Sequence, residues 1–255
     1  MTDDHIAIRI ENLSAGYGGQ PIMEGLNFEV RQGEIFVIIG GSGCGKSTLL
    51  KHMIGLMAPI SGRILILGED LAAAAGKKRE QILQKIGVAF QSGALFGSMS
   101  VVENVKLPLM EFTALPQSLI DDIAWYKLEL VGLSHSAYLL PSELSGGMKK
   151  RAALARAMAL DPAIIFLDEP SAGLDPVTSA ELDRLVRFLA GSLGITFVIV
   201  THELASIDAI SDRIIMLDKE ARGIIAEGTP DELKQSSGHP AVKRFFNRSV
   251  EKGHP

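Results

Sequence analysis

Residues 40–48, Gly40-Gly41-Ser42-Gly43-Cys44-Gly45-Lys46-Ser47-Thr48, have the types and spacing to hold a phosphate chain. They complete the pattern G-x-x-x-x-G-K-[ST] between an apolar run, Ile35 to Ile39, and a helix-like Thr48-Leu49-Leu50. Glycines let successive backbone N–H groups turn inward on an anion with no Cβ in the way. A helix beginning near Lys46 adds unpaired N–H groups and its positive dipole end. Lys46 supplies a point charge for β- and γ-phosphates, and the Ser47 hydroxyl is a ligand for Mg²⁺.

A second constellation is Ile164-Ile165-Phe166-Leu167-Asp168-Glu169-Pro170. Four apolar residues read as a buried strand that delivers two carboxylates at its end. Asp168 is placed to hold Mg²⁺, usually through water, and Glu169 to take a proton from an attacking water. Without a phosphate loop upstream, the same stretch reads equally as an acidic strand-end turn. A third is Leu144-Ser145-Gly146-Gly147-Met148, opening the long helical run KKRAALARAMAL. That is again a helix start suited to an anion. One chain with one nucleotide does not need two such sites, so the second calls for an explanation.

The elements that must position these groups follow from periodicity. Residues 6–13 alternate as a half-buried strand, and 26–39 read as two strands around Arg31-Gln32-Gly33. Tyr17 falls in the loop SAGYGG, where it stacks on a base or merely packs on the surface. Further strands are expected at 62–68 and at 86–90, the latter delivering Gln91, and later at 163–167 and 195–200. Residues 118–131 carry a broad apolar face that stops at Gly132, with Trp125 reading as core, and a second helix runs from Ser145 to Leu160. Leu182, Leu185, Val186 and Leu189 give a helical stripe ended by Gly191 and Gly194. Lys77, Lys78 and Arg79 read as a solvated helix face. Thr229, Pro230 and Glu232 form a capping box. Alternating strands and helices imply an α/β fold with a mainly parallel sheet, into which a helical lobe, about 92–160, is inserted.

With 255 residues, 47% hydrophobic and 22% charged, the chain is globular. A net charge of −5 argues against a basic nucleic-acid groove, so no nucleic acid is expected as partner. The one cysteine, Cys44, rules out an internal disulfide and fits a reducing compartment. The opening MTDDHIAIRI has two acids and no apolar signal core, and no run approaches the roughly 18 apolar residues of a membrane span. A membrane role would therefore be borrowed from a partner.

Taken together, the motifs resemble those of the ATP-binding cassette (ABC) ATPases, over about residues 6–235. Gly40–Ser47 match the family's Walker A, Ile164–Glu169 its Walker B and catalytic glutamate, and Leu144–Met148 its signature, usually Leu-Ser-Gly-Gly-Gln. Gln91 matches the Q-loop, Ser171-Ala172-Gly173-Leu174-Asp175 the D-loop, His202 the switch histidine and Tyr17 the adenine-stacking aromatic. Alone, His202 would be an ordinary surface or structural histidine and Gln91 would carry no signal. The resemblance implies a P-loop NTPase (RecA-like) core with an N-terminal antiparallel β subdomain and an inserted helical subdomain. It implies ATP and Mg²⁺ as ligands: Tyr17 and Gly40–Thr48 on the nucleotide, Ser47, Gln91 and Asp168 at the metal, and Glu169, His202, Lys46 and Gln91 in hydrolysis. It also resolves the second anion site, because cassettes of this family face each other head to tail. Ser145, Gly146 and Gly147 would then reach the γ-phosphate held by the other copy's Lys46, as in a homodimer. Met148 departs from the usual Gln and removes one side-chain amide. Cys44 reads as simply a small residue within the loop, or as an alkylatable thiol that bound ATP would protect.

A narrower resemblance rests on Phe90–Phe96 (FQSGALF), Met148 and Lys149–Arg156 (KKRAALAR). These are similar to the subgroup that serves lipid transport with MCE-domain proteins. That subgroup implies a polytopic inner-membrane permease docked on the helical lobe and an MCE-domain lipid-binding protein. It places the ATPase at the cytoplasmic face of the bacterial inner membrane. An ABC motor for an ion, amino acid or drug is the alternative, and a non-transport ABC ATPase a further one. The tail, 236–255, including Phe245-Phe246, clasps a partner ATPase or packs on the chain's own core.

Overall fold

The computed structural model describes residues 5–236 and 238–247. Its strands are β1 (Ile6–Tyr17), β2 (Gln20–Arg31), β3 (Ile35–Gly40), β4 (Ser61–Ile66), β5 (Glu69–Asp70), β6 (Ile86–Ala89), β7 (Ile164–Asp168), β8 (Thr196–Val200), β9 (Arg213–Asp218) and β10 (Gly223–Gly228). Its α-helices are α1 (Lys46–Met53), α2 (Gly76–Leu83), α3 (Val101–Phe112), α4 (Gln117–Leu130), α5 (Gly146–Ala157), α6 (Pro176–Leu193), α7 (Leu204–Ile210), α8 (Pro230–Ser236) and α9 (Pro240–Asn247). The central sheet has the order β10-β9-β3-β8-β7-β6. Neighbours from β9 to β6 run parallel, and β10 closes the edge antiparallel. A separate antiparallel sheet, β2-β1-β4-β5, flanks it, its strands lying on either side of β3 and α1 in the chain.

The central strands are continuous apolar runs because both faces are covered. Period-two alternation then sends neighbouring residues to two different cores. Val37, Ile165, Phe197 and Ile214 join the core shared with the helical lobe. Phe36, Phe166, Val198 and Ile215 join the core under α1 and the antiparallel sheet. Phe28 of β2 stacks on Phe36 of β3 at 5.6 Å between centroids, binding the two sheets. Arg213 spans the same junction, pairing with Glu34 and Glu227 and donating to the Glu29 carbonyl.

The lobe of α3, α4 and α5 interrupts the alternation between β6 and β7. Ser100 and Glu103 form a capping box at the start of α3. Asn104, fully buried, donates to the carbonyls of Phe96, Met99 and Ser100 and so fixes the loop that enters the lobe.

Several sequence expectations change in detail. β1 runs on through SAGY, so Tyr17 ends a strand rather than lying in a loop. Gly191 lies inside α6, and Gly194 alone ends that helix. Trp125 is half-buried, edge-on to Tyr138 at 5.9 Å. Arg79 is not a purely solvated cation: its guanidinium donates to the carbonyls of Leu71 and Gly55, tying α2 to the end of α1. The capping box of Thr229 and Glu232 forms at the start of α8. In α9, Val242 is buried in the core, with Phe245 and Phe246 packed against it. Residues 237 and 248–255 of the tail, like 1–4 at the start, lie outside the described residues. Among the described residues no helix is long and apolar enough to cross a membrane.

Candidate nucleotide site

The phosphate loop joins β3 to α1 at the carboxyl edge of the central sheet, between β9 and β8. Gly40 sits at φ 152°, and a Cβ there would stand 2.5 Å from the Leu217 carbonyl oxygen and 2.6 Å from Cys44 Sγ. Only glycine lets the loop pass between β9 and its own return. Gly41, Ser42, Gly43 and Ser47 are exposed along it, while Cys44 and Thr48 point inward. The Lys46 ammonium donates to the carbonyls of Gly40 (2.8 Å) and Gly41 (3.2 Å), so it lies across the loop. Cys44 is 2% exposed, and burial pushes its thiol above the ordinary range despite the Lys46 charge. A thiol that is buried and protonated is a poor nucleophile. Of the two readings, burial favours the small residue: Cys44 fills a core position under the loop.

β7, next but one to β3, brings its two acids to the same edge. Asp168 Oδ1 is buried with no hydrogen-bond partner. Burial first, and then the charge of Glu169, raise its pKa, against the opposing charges of Lys51, Lys150 and Lys46. Glu169 has φ 47°, a left-handed backbone that is uncommon for a non-glycine residue and concentrates at functional sites. Its N–H donates to the Val200 carbonyl at 2.8 Å, which locks the turn against the end of β8. One carboxylate oxygen, Oε1, lies 2.8 Å from His202 Nδ1, and the other, Oε2, is buried without a partner. Because an ionised carboxylate only accepts, Nδ1 carries the proton of this hydrogen bond. His202 is delivered by the loop after β8 and is 60% exposed.

Gln91 follows β6 and is exposed. Its carbonyl accepts from Lys150 Nζ at 2.5 Å, and the same ammonium donates to the Glu169 carbonyl at 3.1 Å. Lys150 was not singled out from the sequence. No pattern there marks it, since its partners are backbone oxygens 59 and 19 residues away.

Ser145, Gly146 and Gly147 open α5, as the sequence suggested. The Ser145 hydroxyl accepts from the Met148 N–H at 3.3 Å. Ser145 and Gly146 are exposed, and Gly147 is buried. Their closest neighbours are not the phosphate loop. A Cβ on Gly146 would meet Leu174 at 3.3 Å, and one on Gly147 would meet Thr178 at 2.5 Å. The fold thus brings Lys46, Asp168, Glu169, His202 and Gln91 to one edge of the sheet, while the start of α5 packs on the segment that leads into α6.

Tyr17 is 46% exposed at the end of β1. Its hydroxyl accepts from Thr48 at 3.1 Å, and Lys51 lies 5.9 Å from its ring centre. One turn beyond Thr48, His52 is fully buried, with Nε2 3.1 Å from the Gly16 N–H. α1 therefore holds the Gly16-Tyr17 strand end at two points, Thr48 and His52, one turn apart on one face of the helix. His52 was missed as well; an imidazole four residues after Thr48 is the only sequence trace.

This arrangement defines a P-loop ATPase: a glycine-rich loop and lysine at a helix start, with paired carboxylates on the strand two places away. The model of the ABC transporter family matches residues 23–172. An intermembrane phospholipid transport system ATP-binding protein MlaF, from Haemophilus influenzae, is 42% identical over 229 residues, 90% of this chain and 86% of that one. A probable ribonucleotide transport ATP-binding protein mkl from Mycobacterium leprae is 41% identical over 242 residues, 95% of this chain and 69% of that one. Among solved structures, the dimer of the ATP-binding cassette MJ0796 in a post-hydrolysis state, bound to ADP and Pi, superposes with a TM-score of 0.78. It is 30% identical and covers 87% of this chain and 98% of that one. The chain belongs to the ABC transporter family, as an ATP-binding, ATP-hydrolysing subunit.

Proposed function

We propose that this chain is the ATP-driven motor of a phospholipid transporter. The likeness to MlaF over nearly the whole chain carries the cargo reading. Two copies would face each other head to tail on a polytopic permease at the cytoplasmic face of the inner membrane, with an MCE-domain protein receiving or delivering the lipid. The dimeric cassette MJ0796 supports the pairing.

In this reading the loop amides of Gly40–Thr48 and the Lys46 ammonium hold the β- and γ-phosphates, and Tyr17 takes the adenine. The donors suit Mg²⁺ shared with a nucleotide. Asp168 offers an unpartnered buried oxygen, and the Ser47 hydroxyl is open at the same edge. Among the described residues no cluster of three or more His, Cys, Asp or Glu could hold a metal without phosphate. When bound, Mg²⁺ neutralises charge on the phosphate oxygens. Gln91 would border the metal and the attacking water. Glu169, oriented by His202, accepts the proton of that water. Ser145, Gly146 and Gly147 of the second copy complete the site around the γ-phosphate.

Glu169→Gln is expected to lower kcat by roughly 10²–10⁴ while leaving ATP binding in place. Intact hydrolysis in that variant would remove Glu169 from the role. Affinity purification of the chain from membranes, with identification of bound proteins and lipids, tests the cargo. Recovery of a permease, an MCE-domain protein and phospholipid is the expected result. The likeness to mkl favours one other reading, a motor for a different solute, and a complex without phospholipid or MCE protein would select it.

A further inference from the structure

Helix α5 makes polar contacts that its place in the lobe does not require. Lys150 donates to the carbonyls of Gln91 and Glu169. Nearly two turns on, Arg156 donates to the carbonyls of Ala94 (2.8 Å) and Gly93 (3.0 Å). The residues so held are unusual. Ala94 and Glu169 are both non-glycine residues in the left-handed region, at φ 46° and 47°. Such a backbone persists only where surrounding groups over-determine it. Each of the two has its carbonyl fixed by a cation of the same helix, and that helix begins at Ser145-Gly146-Gly147.

We propose that Lys150 is a positioning residue for hydrolysis. Its ammonium ties the backbone of Gln91 to that of Glu169, so that the base is held in its left-handed turn by the helix that also carries Ser145–Gly147. A shift of the 91–94 loop relative to the sheet would be felt at Glu169 through this one side chain. The proposal rests on Glu169 being the base. A half-buried ammonium between two carbonyls is also chemically distinctive. A charge-assisted bond to a carbonyl is stronger and more directional than a neutral one. A methionine of similar length keeps the packing and removes both bonds.

The test uses the full chain in its membrane complex with Mg²⁺ and ATP. Lys150→Met is expected to lower kcat by at least about tenfold, because displacing a catalytic group by an ångström costs up to roughly 10²-fold. KM and ATP affinity should move by less than about threefold, since no contact to nucleotide is removed. Lys150→Arg, which keeps a cationic donor, should recover much of the lost kcat. A merely structural lysine would lower the melting temperature and the amount of active protein without this split between kcat and KM. If Lys150→Met does not fold, Lys150→Ala, which leaves space for water, is read in the same way. Glu169→Gln in the same preparation separates the two readings. If Glu169→Gln is inactive but a folded Lys150→Met keeps its kcat within twofold, the clamp is wrong and the base reading stands. If Glu169→Gln itself turns over, the base reading fails and the clamp with it.

Discussion

Helix α1 is capped by Gly45 and α5 opens on Gly146-Gly147, and the two starts are built differently. The first, α1, has Gly45 as its N-cap at φ 103° with no side-chain cap. The second, α5, has the Ser145 hydroxyl folded onto the Met148 N–H. Neither has an acid in its first turn. By contrast, α3 and α8 fill theirs with their own carboxylates, Glu103 in one and Asp231 and Glu232 in the other. The acid is also missing from the first turns of α2, α4, α6, α7 and α9, so the open positive end suits an anion without by itself marking a site. Around α1 the chain also supplies Lys46, Asp168 and Glu169. Against the glycines that open α5 it sets Leu174 and Thr178. One helix start thus has a lysine and two acids beside it within this chain, and in the proposed head-to-tail pairing the other would serve the nucleotide of a second copy.

The largest expected effect breaks this pairing directly. A Cβ on Gly147 collides with Thr178 at 2.5 Å, so Gly147→Val must displace the start of α5 from the segment leading into α6. Turnover should fall by roughly 10²–10³, the cost of losing fixed donors to a charged transition state, while ATP still binds the phosphate loop. Lys46→Met should be equally inactive by losing the other half. Mixed one to one, the two variants should recover roughly a quarter of the wild-type rate, because each mixed dimer keeps one site with both halves intact. No recovery in a mixture shown to contain mixed dimers would mean that the two helix starts do not share a nucleotide.

The comparison also explains what the sequence made legible. The Gly40–Thr48 loop and the acids after Ile164–Leu167 were readable because side-chain types and local period specify them. The parallel order of the sheet followed from strands alternating with helices, which β3, β7 and β8 obey. Lys150, Arg79 and Arg156 were not readable as anchors, since each binds backbone carbonyls far along the chain and a carbonyl carries no residue identity. Arg79 looked like part of a solvated basic run for this reason. Cys44 has two readings in the sequence because exposure inside a phosphate loop depends on which way each residue turns, and Gly40 lets Cys44 turn under the loop. Gly191 was misread as a stop because tertiary packing of the apolar stripe of α6 carries the helix through it.

A middle-sized effect sharpens the account of α1. If its hold on Gly16 and Tyr17 serves the adenine, Tyr17→Ala should raise KM for ATP by about tenfold, within the roughly 1–3 kcal/mol of base stacking, and leave kcat nearly unchanged. Tyr17→Phe keeps the ring and loses only the bond from Thr48, a change of about 1 kcal/mol or less. Equal effects of the two substitutions would assign the tyrosine to anchoring β1 rather than to stacking.

The smallest expected effect is on stability and has the opposite sign to the others. Asp168 is buried beside Glu169, and both burial and that neighbour raise its pKa in the folded chain. A carboxyl with a raised folded pKa binds its proton more tightly in the folded state than in the unfolded one. Its contribution therefore favours folding below the unfolded value, near 3.9, and is lost as pH rises through the folded value. At neutral pH the ionised Asp168 is a net strain on the nucleotide-free protein. Asp168→Asn removes that charge and should raise the melting temperature at pH 7 by about 2–4 °C, the shift that roughly 1 kcal/mol gives in a chain of this size. The gain should shrink as pH falls through the raised folded value, where the wild-type carboxyl takes up its proton. The same substitution should weaken Mg²⁺-dependent ATP turnover. A variant that loses both stability and turnover would show that Asp168 is held by its own chain rather than kept in reserve for a ligand. That would make the α1 edge, unlike the α5 start in the proposed pairing, a surface finished by its own chain.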